Sequence, residues 1–364
     1  MKHSRWFYLE VLVLYIVFSA SVTYPLWAAP VPESFSPIIK KAAKAVVVVR
    51  VFGPEKDDSA PRGIESLLPP DSPFIEKFSE KKKQADEAAI PVLLSNASGF
   101  VFDPSGYILT NHHVVDIKDV KKIDVIFQNG KRYQAKIVGT DKRADIAVLK
   151  IDGGKEILPF IDSHDSDLIE TGDWVIAIGN PFGLGLSASV GIVSARYRMP
   201  DATNPIVYLQ TDAAINVGNS GGALIGASGE FVGIVTSIIS PDSGVNVGIG
   251  FAIPSNYALF AAHEIIAYGR FRRGWLGARI EKVGDGNEAR LFVKKVLKES
   301  PADKGGVLEG DVFLAWDKIE IQSVRNFQEI FAFSPVGSTK LLTVLRGGLK
   351  IDLNIRIEES HRSY

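Results

Sequence analysis

The chain contains no cysteine. That absence excludes disulfides, thiolate catalysis and cysteine-based zinc sites together, and it suits an exported bacterial protein with no thiols to protect. An excess of one charge is missing too, because 41 Lys and Arg nearly cancel 42 Asp and Glu. No charge field argues for nucleic acid or for an anionic membrane surface. Histidine is scarce: His3, His112, His113, His164, His263 and His361 are the whole supply. The hydrophobic content of 46% over 364 residues is that of a globular chain, long enough for one large domain and one small one.

The N-terminus addresses location. Lys2, His3 and Arg5 precede an apolar stretch from Trp6 to Phe18, interrupted by Glu10 and followed by small residues and Leu26-Trp27-Ala28-Ala29-Pro30. Residues 1–29 read as a secretory signal cut near Ala28 or Ala29. The competing reading is an uncleaved membrane anchor, since Trp6 to Trp27 is roughly long enough to cross a bilayer. Either leaves the remainder periplasmic or otherwise extracytoplasmic.

Gly218-Asn219-Ser220-Gly221-Gly222 carries the chemistry. Glycines let the backbone bend sharply, so that the Ser220 hydroxyl stands clear while the amides of Gly218, Asn219 and Ser220 converge as an oxyanion hole. A serine hydroxyl near neutral pH needs a base, and an imidazole base needs a carboxylate to fix its tautomer. His113 lies where the apolar run Tyr107-Ile108-Leu109 gives way to Thr110-Asn111-His112-His113, so a rigid strand can hold its ring. Asp145 heads Ile146-Ala147-Val148-Leu149, a buried strand at whose start a shielded acid belongs. The order His, Asp, Ser is that of the chymotrypsin-type constellation.

Along the chain the signals are nearly all β. Ala45 to Phe52 is a buried-strand run; Ile123, Val125 and Phe127 alternate up to Asn129-Gly130, which reads as a type I′ hairpin returning through Tyr133 to Val138. Further short strands at Trp174–Ile178, Val190–Ser194, Val207–Gln210, Phe231–Ser237 and Val247–Ile253 indicate antiparallel barrels or sandwiches. A helix runs from Ser255 to about Gly269, and the short basic stretch Gly269 to Arg273 reads as a hinge. Between Gly53 and Pro91 the pattern dissolves into Pro, Asp, Ser and Lys, too poor in apolar surface to order by itself. Asp162 to Asp167 lacks two-histidine spacing and reads as a solvated loop, Gly179 to Gly185 lacks a nucleotide-binding pattern, and His263 sits mid-helix as an ordinary side chain.

These motifs together resemble the HtrA (Deg) family of serine proteases. The likeness rests on Ser98-Gly99-Phe100-Val101-Phe102, Thr110 to Val114, Ala144-Asp145-Ile146-Ala147, Leu209 to Asn216 running into the Ser220 turn, and Gly248 to Pro254. It runs from about Ser36 to Glu359, with Ala97, His112 and Val217 as mild departures. The resemblance implies a mostly β chain: a chymotrypsin-like double β-barrel over 36–268, a long regulatory loop over 53–91, and a small α+β PDZ domain over 274–359. It puts the base on His113 and a small aliphatic specificity pocket around Ile215, Ile238 and Ile239. Trp275, Leu276 and Gly277 become a loop whose amides hold a peptide's terminal carboxylate. Asp317-Lys318 replaces the family's usual Asn-Gly, so that turn is expected to differ, and Arg198 becomes a candidate relay between PDZ domain and active site.

The function so implied is quality control: a serine endopeptidase degrading unfolded or misfolded envelope proteins, with no metal or organic cofactor. Free apolar peptide C-termini are the expected PDZ ligands, and a homotrimer or higher homo-oligomer the expected assembly. Two alternatives stay open, a regulatory protease cleaving one membrane-bound signalling protein and a chaperone or peptide-binding scaffold with a latent protease site.

Overall fold

In a computed structural model, the described residues are 33–54, 91–180, 185–198, 206–216, 218–238, 248–284 and 290–360. The N-terminal segment, the core of the 53–91 insertion and Ile239 lie outside them.

Four consecutive valines open β1 (Val46–Gly53), and all four are buried. A β-branched run of this kind prefers extended backbone and packs on both faces. It follows a short helix, α1 (Ser36–Ala42). With β2 (Val92–Asp103), β3 (Tyr107–Thr110), β4 (Lys122–Phe127), β5 (Arg132–Asp141) and β6 (Ile146–Ile151) it closes a barrel in the order β1-β2-β3-β6-β5-β4. A one-turn helix, α2 (His112–Val115), leaves the end of β3.

The second barrel, ordered β10-β11-β12-β9-β8-β7, is built from β7 (Trp174–Gly179), β8 (Ser187–Arg198), β9 (Tyr208–Thr211), β10 (Ala223–Gly226), β11 (Phe231–Ile238) and β12 (Gly250–Pro254). Phe100 from β2 and Phe231 from β11, both fully buried, bring their ring centroids to 4.8 Å and join the barrels. Helix α3 (Ser255–Tyr268) packs back on both barrels and stops at Gly269, whose left-handed φ of 73° and N–H to the Ile265 carbonyl close the helix.

The third sheet runs β14-β15-β16-β18-β19, from β14 (Ala278–Val283), β15 (Arg290–Val296), β16 (Val312–Trp316), β18 (Thr339–Arg346) and β19 (Leu349–Arg356); β17 (Ile319–Glu320) pairs with β16, and β13 (Gly274–Trp275) with β20 (Glu358–Glu359). Helices α4 (Pro301–Lys304) and α5 (Val324–Ala332) start at Ser300 and Ser323, whose side chains cap the third amide beyond them. Trp316, Phe313, Phe327 and Leu342 fill its core.

Three local expectations change. At Asn129-Gly130 only Gly130 has positive φ, and the Phe127 amide bonds the Lys131 carbonyl, so the loop has three residues rather than two. The Asn129 side chain accepts from the Lys131 amide, which favours a type I turn closed by a left-handed glycine. The turn at Asp317-Lys318 behaves oppositely: both residues take left-handed φ, 50° and 71°, the type I′ signature without a glycine. Lys340 Nζ at 2.6 Å from the Asp317 carboxylate and the Asp317 N–H on the Leu341 carbonyl at 2.7 Å hold it there.

The third is the basic stretch read as a hinge, which is pinned. Arg270 pairs with Glu359, Arg272 with Glu264 at 2.8 Å, and Arg273 with the buried Asp141 at 2.7 and 2.8 Å. Beside it Tyr257 and Phe260 of α3, Phe271 of the linker and Phe333 beyond α5 form a ring box with centroids 5.6 to 6.0 Å apart.

Candidate active site

The site forms where the barrels meet. The first barrel supplies His113 and Asp145, the second Ser220. His113 rides on α2 directly after β3, so the barrel wall fixes its start. Asp145 precedes β6 at the end of a turn and holds a left-handed φ of 57°, a conformation that Asp tolerates better than most residues. Its carboxylate lies 2.8 and 3.0 Å from His113 Nδ1 and accepts the His113 backbone N–H at 3.0 Å. The Asn111 side-chain amide donates to the Asp145 carbonyl at 2.9 Å.

The hydrogen bond to Asp145 raises the His113 imidazole above its ordinary value of 6.5, against the effect of burial, which lowers it. His112, next in sequence, faces elsewhere: its Nε2 sits 3.2 Å from Asp116 one turn on.

Ser220 follows Gly218, whose φ of 97° needs glycine. Gly221, at φ 80°, is required for space as well, since a Cβ there would overlap the Ser98 carbonyl and the Thr110 hydroxyl of the first barrel. The Ser220 hydroxyl donates to the Thr236 carbonyl at 3.3 Å, and no hydrogen bond joins it to His113 among the described residues. No sequence motif points to Thr236. Its own hydroxyl donates to Asp145 at 2.8 Å, so one residue of β11 touches both the acid and the nucleophile. A buried threonine inside the apolar run of β11 was the available signal.

One member of the expected oxyanion hole has another partner. The Asn219 N–H donates to the Asn216 carbonyl at 3.0 Å and closes the turn, so it cannot also point at a developing oxyanion. The Gly218 and Ser220 amides have no partner among the described residues.

Ile215 is buried in the second barrel's core, with Ala213, Val235 and Ala252. It packs over Gly250, where an added Cβ would overlap its side chain. Ile238 belongs to β11 and pairs with Gly250, its side chain outside the description, as is Ile239. Arg198 ends β8 and donates to the Gln210 side chain at 3.1 Å on β9.

In the third sheet β14 is an edge strand. Just before it, the Leu276 and Gly277 carbonyls are taken by the amides of Ala302 and Leu297 at 2.9 and 2.8 Å, while their own amides lack a partner among the described residues. Trp275, Arg279, Lys295 and Leu297 surround a cavity of about 460 Å³ there. The acidic stretch at 162–167 is local scaffolding: Asp165 accepts from the Asn256 side chain at 2.7 Å and the Asp167 amide at 2.9 Å, beside the start of α3.

Two closed antiparallel barrels with a His, Asp, Ser set at their junction and a PDZ-like sheet behind them define a serine protease of the chymotrypsin type with an appended peptide-binding domain. Residues 97–234 match the family model for a trypsin-like peptidase domain, and residues 274–357 the one for a PDZ domain. The periplasmic serine endoprotease DegP of Escherichia coli K12 is 36% identical over 368 residues, covering 95% of this chain and 76% of that protein. A probable periplasmic serine protease do/HhoA-like of Haemophilus influenzae is 36% identical over 385 residues, covering 100% of this chain and 81% of its own. Among solved structures, the HtrA-type protease AlgW with tripeptide superposes with a TM-score of 0.68 at 34% identity, over 91% of this chain and 98% of that one. The chain belongs to the HtrA (DegP) family of serine endoproteases.

Proposed function

We propose that this chain is an extracytoplasmic endopeptidase in which His113, Asp145 and Ser220 perform the chemistry and the PDZ domain captures peptide C-termini. The observation that carries the reading is the Asp145 carboxylate gripping His113 at both its ring nitrogen and its backbone N–H. That grip fixes the tautomer with the proton on Nδ1 and leaves Nε2 basic. Ser220 Oγ bonds to the scissile carbonyl carbon as its proton passes to His113 Nε2. The Gly218 and Ser220 amides receive the oxyanion, and His113 returns the proton to the leaving nitrogen as the C–N bond breaks. Water then repeats the steps on the acyl-enzyme.

The substrates we assign are unfolded or misfolded envelope proteins, in keeping with periplasmic endoproteases among the relatives. Ile215 and the absence of an acid among Ile215, Ile238 and Ile239 favour small aliphatic residues before the cut, with the broad preference of an apolar pocket. Peptides with free apolar C-termini would add a strand to β14, their carboxylate held by the Leu276 and Gly277 amides near Arg279 and Lys295. A homotrimer or larger assembly and an N-terminal export signal or anchor belong to the same reading.

The bond from the Ser220 hydroxyl to the Thr236 carbonyl favours one refinement, a protease held at rest until a ligand acts. A hydroxyl so engaged must rotate toward His113 before it can attack. Casein degradation tests the whole: the wild type should degrade it with and without a chelator, Ser220→Ala should not, and turnover surviving in that variant would refute the assignment.

A further inference from the structure

The nucleophile turn is held by a residue of the other barrel. Ser98, fully buried on β2, donates its hydroxyl to the Gly218 carbonyl at 2.6 Å and accepts the Asn180 N–H at 2.8 Å. Its backbone N–H donates to the Ser220 carbonyl at 3.1 Å. The remaining carbonyl of the turn, that of Asn219, accepts from Gly222 at 2.8 Å. Thus every carbonyl from Gly218 to Ser220 is fixed, two of the three by Ser98. A peptide plane whose carbonyl is fixed has a fixed amide direction. Each carbonyl shares its plane with the next residue's amide, so the Ser220 amide lies in the Asn219 plane, flanked on both sides by planes that Ser98 holds.

Ser98 is itself anchored. Its carbonyl accepts the Thr110 hydroxyl at 2.8 Å, and Thr110 ends β3, one residue before Asn111 and three before His113. The same strand pair therefore carries the base and grips the nucleophile's backbone.

We infer that Ser98 is a positioning residue for the oxyanion hole: its hydroxyl, bridging the Asn180 amide and the Gly218 carbonyl, and its N–H on the Ser220 carbonyl hold the two peptide planes that flank the Ser220 amide and so aim that amide at the reacting carbonyl. The hydroxyl can donate one proton and accept another, so both buried backbone groups are satisfied by one atom. Removing it leaves the Gly218–Asn219 plane held only by the bond from the Asn219 N–H to Asn216, and so loosens the turn while Ser220, His113 and Asp145 stay in place. The inference rests on the oxyanion role assigned above to the Ser220 amide.

Full-length Ser98→Ala, wild type and Ser220→Ala are compared in a peptide p-nitroanilide assay with valine before the cut, in fluorophosphonate inactivation and in binding of a matching peptide boronate. Loss of one complete oxyanion donor costs about 10²–10³ in kcat. Misaiming costs less, so Ser98→Ala should lower kcat by about 10- to 100-fold with KM within about twofold. The fluorophosphonate rate and boronate affinity should fall by the same factor, and the pH midpoint, set by His113, should not move. If Ser98→Ala does not fold, Ser98→Cys carries the test, keeping the shape with a weaker donor, and a smaller fall in kcat with KM and midpoint unchanged is expected. Wild-type kcat in the folded variant, or a loss through KM or a shifted midpoint, overturns the inference. Absence of labelling in the wild type as well, or labelling that persists in Ser220→Ala, would instead overturn the active-site reading beneath it.

Discussion

The molecule has two seams, and they are made of different materials. Between the barrels, beside the Phe100–Phe231 ring contact, the contacts are hydrogen bonds of fixed direction around small residues: Thr236 to Asp145, and Ser98 to Gly218 and Ser220. Between the protease domain, through helix α3 and β5, and the PDZ domain they are ring faces and ion pairs, the box of Tyr257, Phe260, Phe271 and Phe333 beside the arginines of residues 270–273. Directional bonds tolerate little displacement, whereas aromatic packing tolerates sliding at modest cost. The first seam suits chemistry, which must not move.

Perturbing the first seam should therefore act on rate, and the second on order. The largest effect belongs to Ser220→Ala. In another serine protease, removing the nucleophile costs about 10⁶ in kcat, and a comparable loss is expected here with thermal unfolding unchanged. Asp145→Asn should cost about 10⁴, because the amide holds the wrong imidazole tautomer. Steady-state kinetics at saturating substrate checks both, and a loss under tenfold for either would remove that residue from the chemistry.

Next comes pH. Since Asp145 raises His113 above 6.5 and only the neutral ring can accept a proton, kcat/KM should fall as pH drops through a midpoint above 6.5. The same shift acts on stability with the opposite sign: the protonated ring stabilises the fold fully below pH 6.5, and that contribution fades as pH rises through the folded value.

At the second seam Phe333→Ala removes two ring pairs, each worth about 0.5–1.5 kcal/mol. Opening of the linker should rise by roughly 5- to 150-fold, read as tryptic release of a PDZ fragment cut within residues 270–273, while the pH midpoint stays put. A shifted midpoint would join the seams that the comparison separates. The smallest effect is Arg198→Ala. Its bond to Gln210 stays within the second barrel, so peptide binding should be spared and peptide activation of proteolysis reduced only about fivefold, as for one net hydrogen bond. Calorimetry beside a turnover assay separates the two quantities.

The first seam was largely legible in the sequence. Nucleophile, base and acid each demand a particular side chain, and histidine is rare enough here that few choices existed. Backbone bonding left no such trace: the Asn219 amide turns to Asn216, and nothing in Gly218-Asn219-Ser220 announces it. Ser98 opens a family motif and Thr236 is a polar residue in an apolar strand, but the sequence does not show what either touches, because the groups lie far away in the chain. The second seam was misread for the same reason. Gly269 to Arg273 looks like a hinge by composition, but Asp141, Glu264 and Glu359 reach it through the fold. The Asp317-Lys318 turn shows local propensity overridden, since its left-handed residues are held by strand pairing and Lys340 rather than chosen for freedom.

The central claim is that Asp145, by holding His113, makes Ser220 a nucleophile across the barrel junction. The pH dependence of fluorophosphonate labelling, measured for the wild type and Asp145→Asn with the labelled residue located by mass spectrometry, tests it most directly. The account predicts labelling at Ser220 with a single midpoint above 6.5, slowed by orders of magnitude in Asp145→Asn. A pH-independent rate, a label on another residue, or equal rates in the two proteins would contradict it.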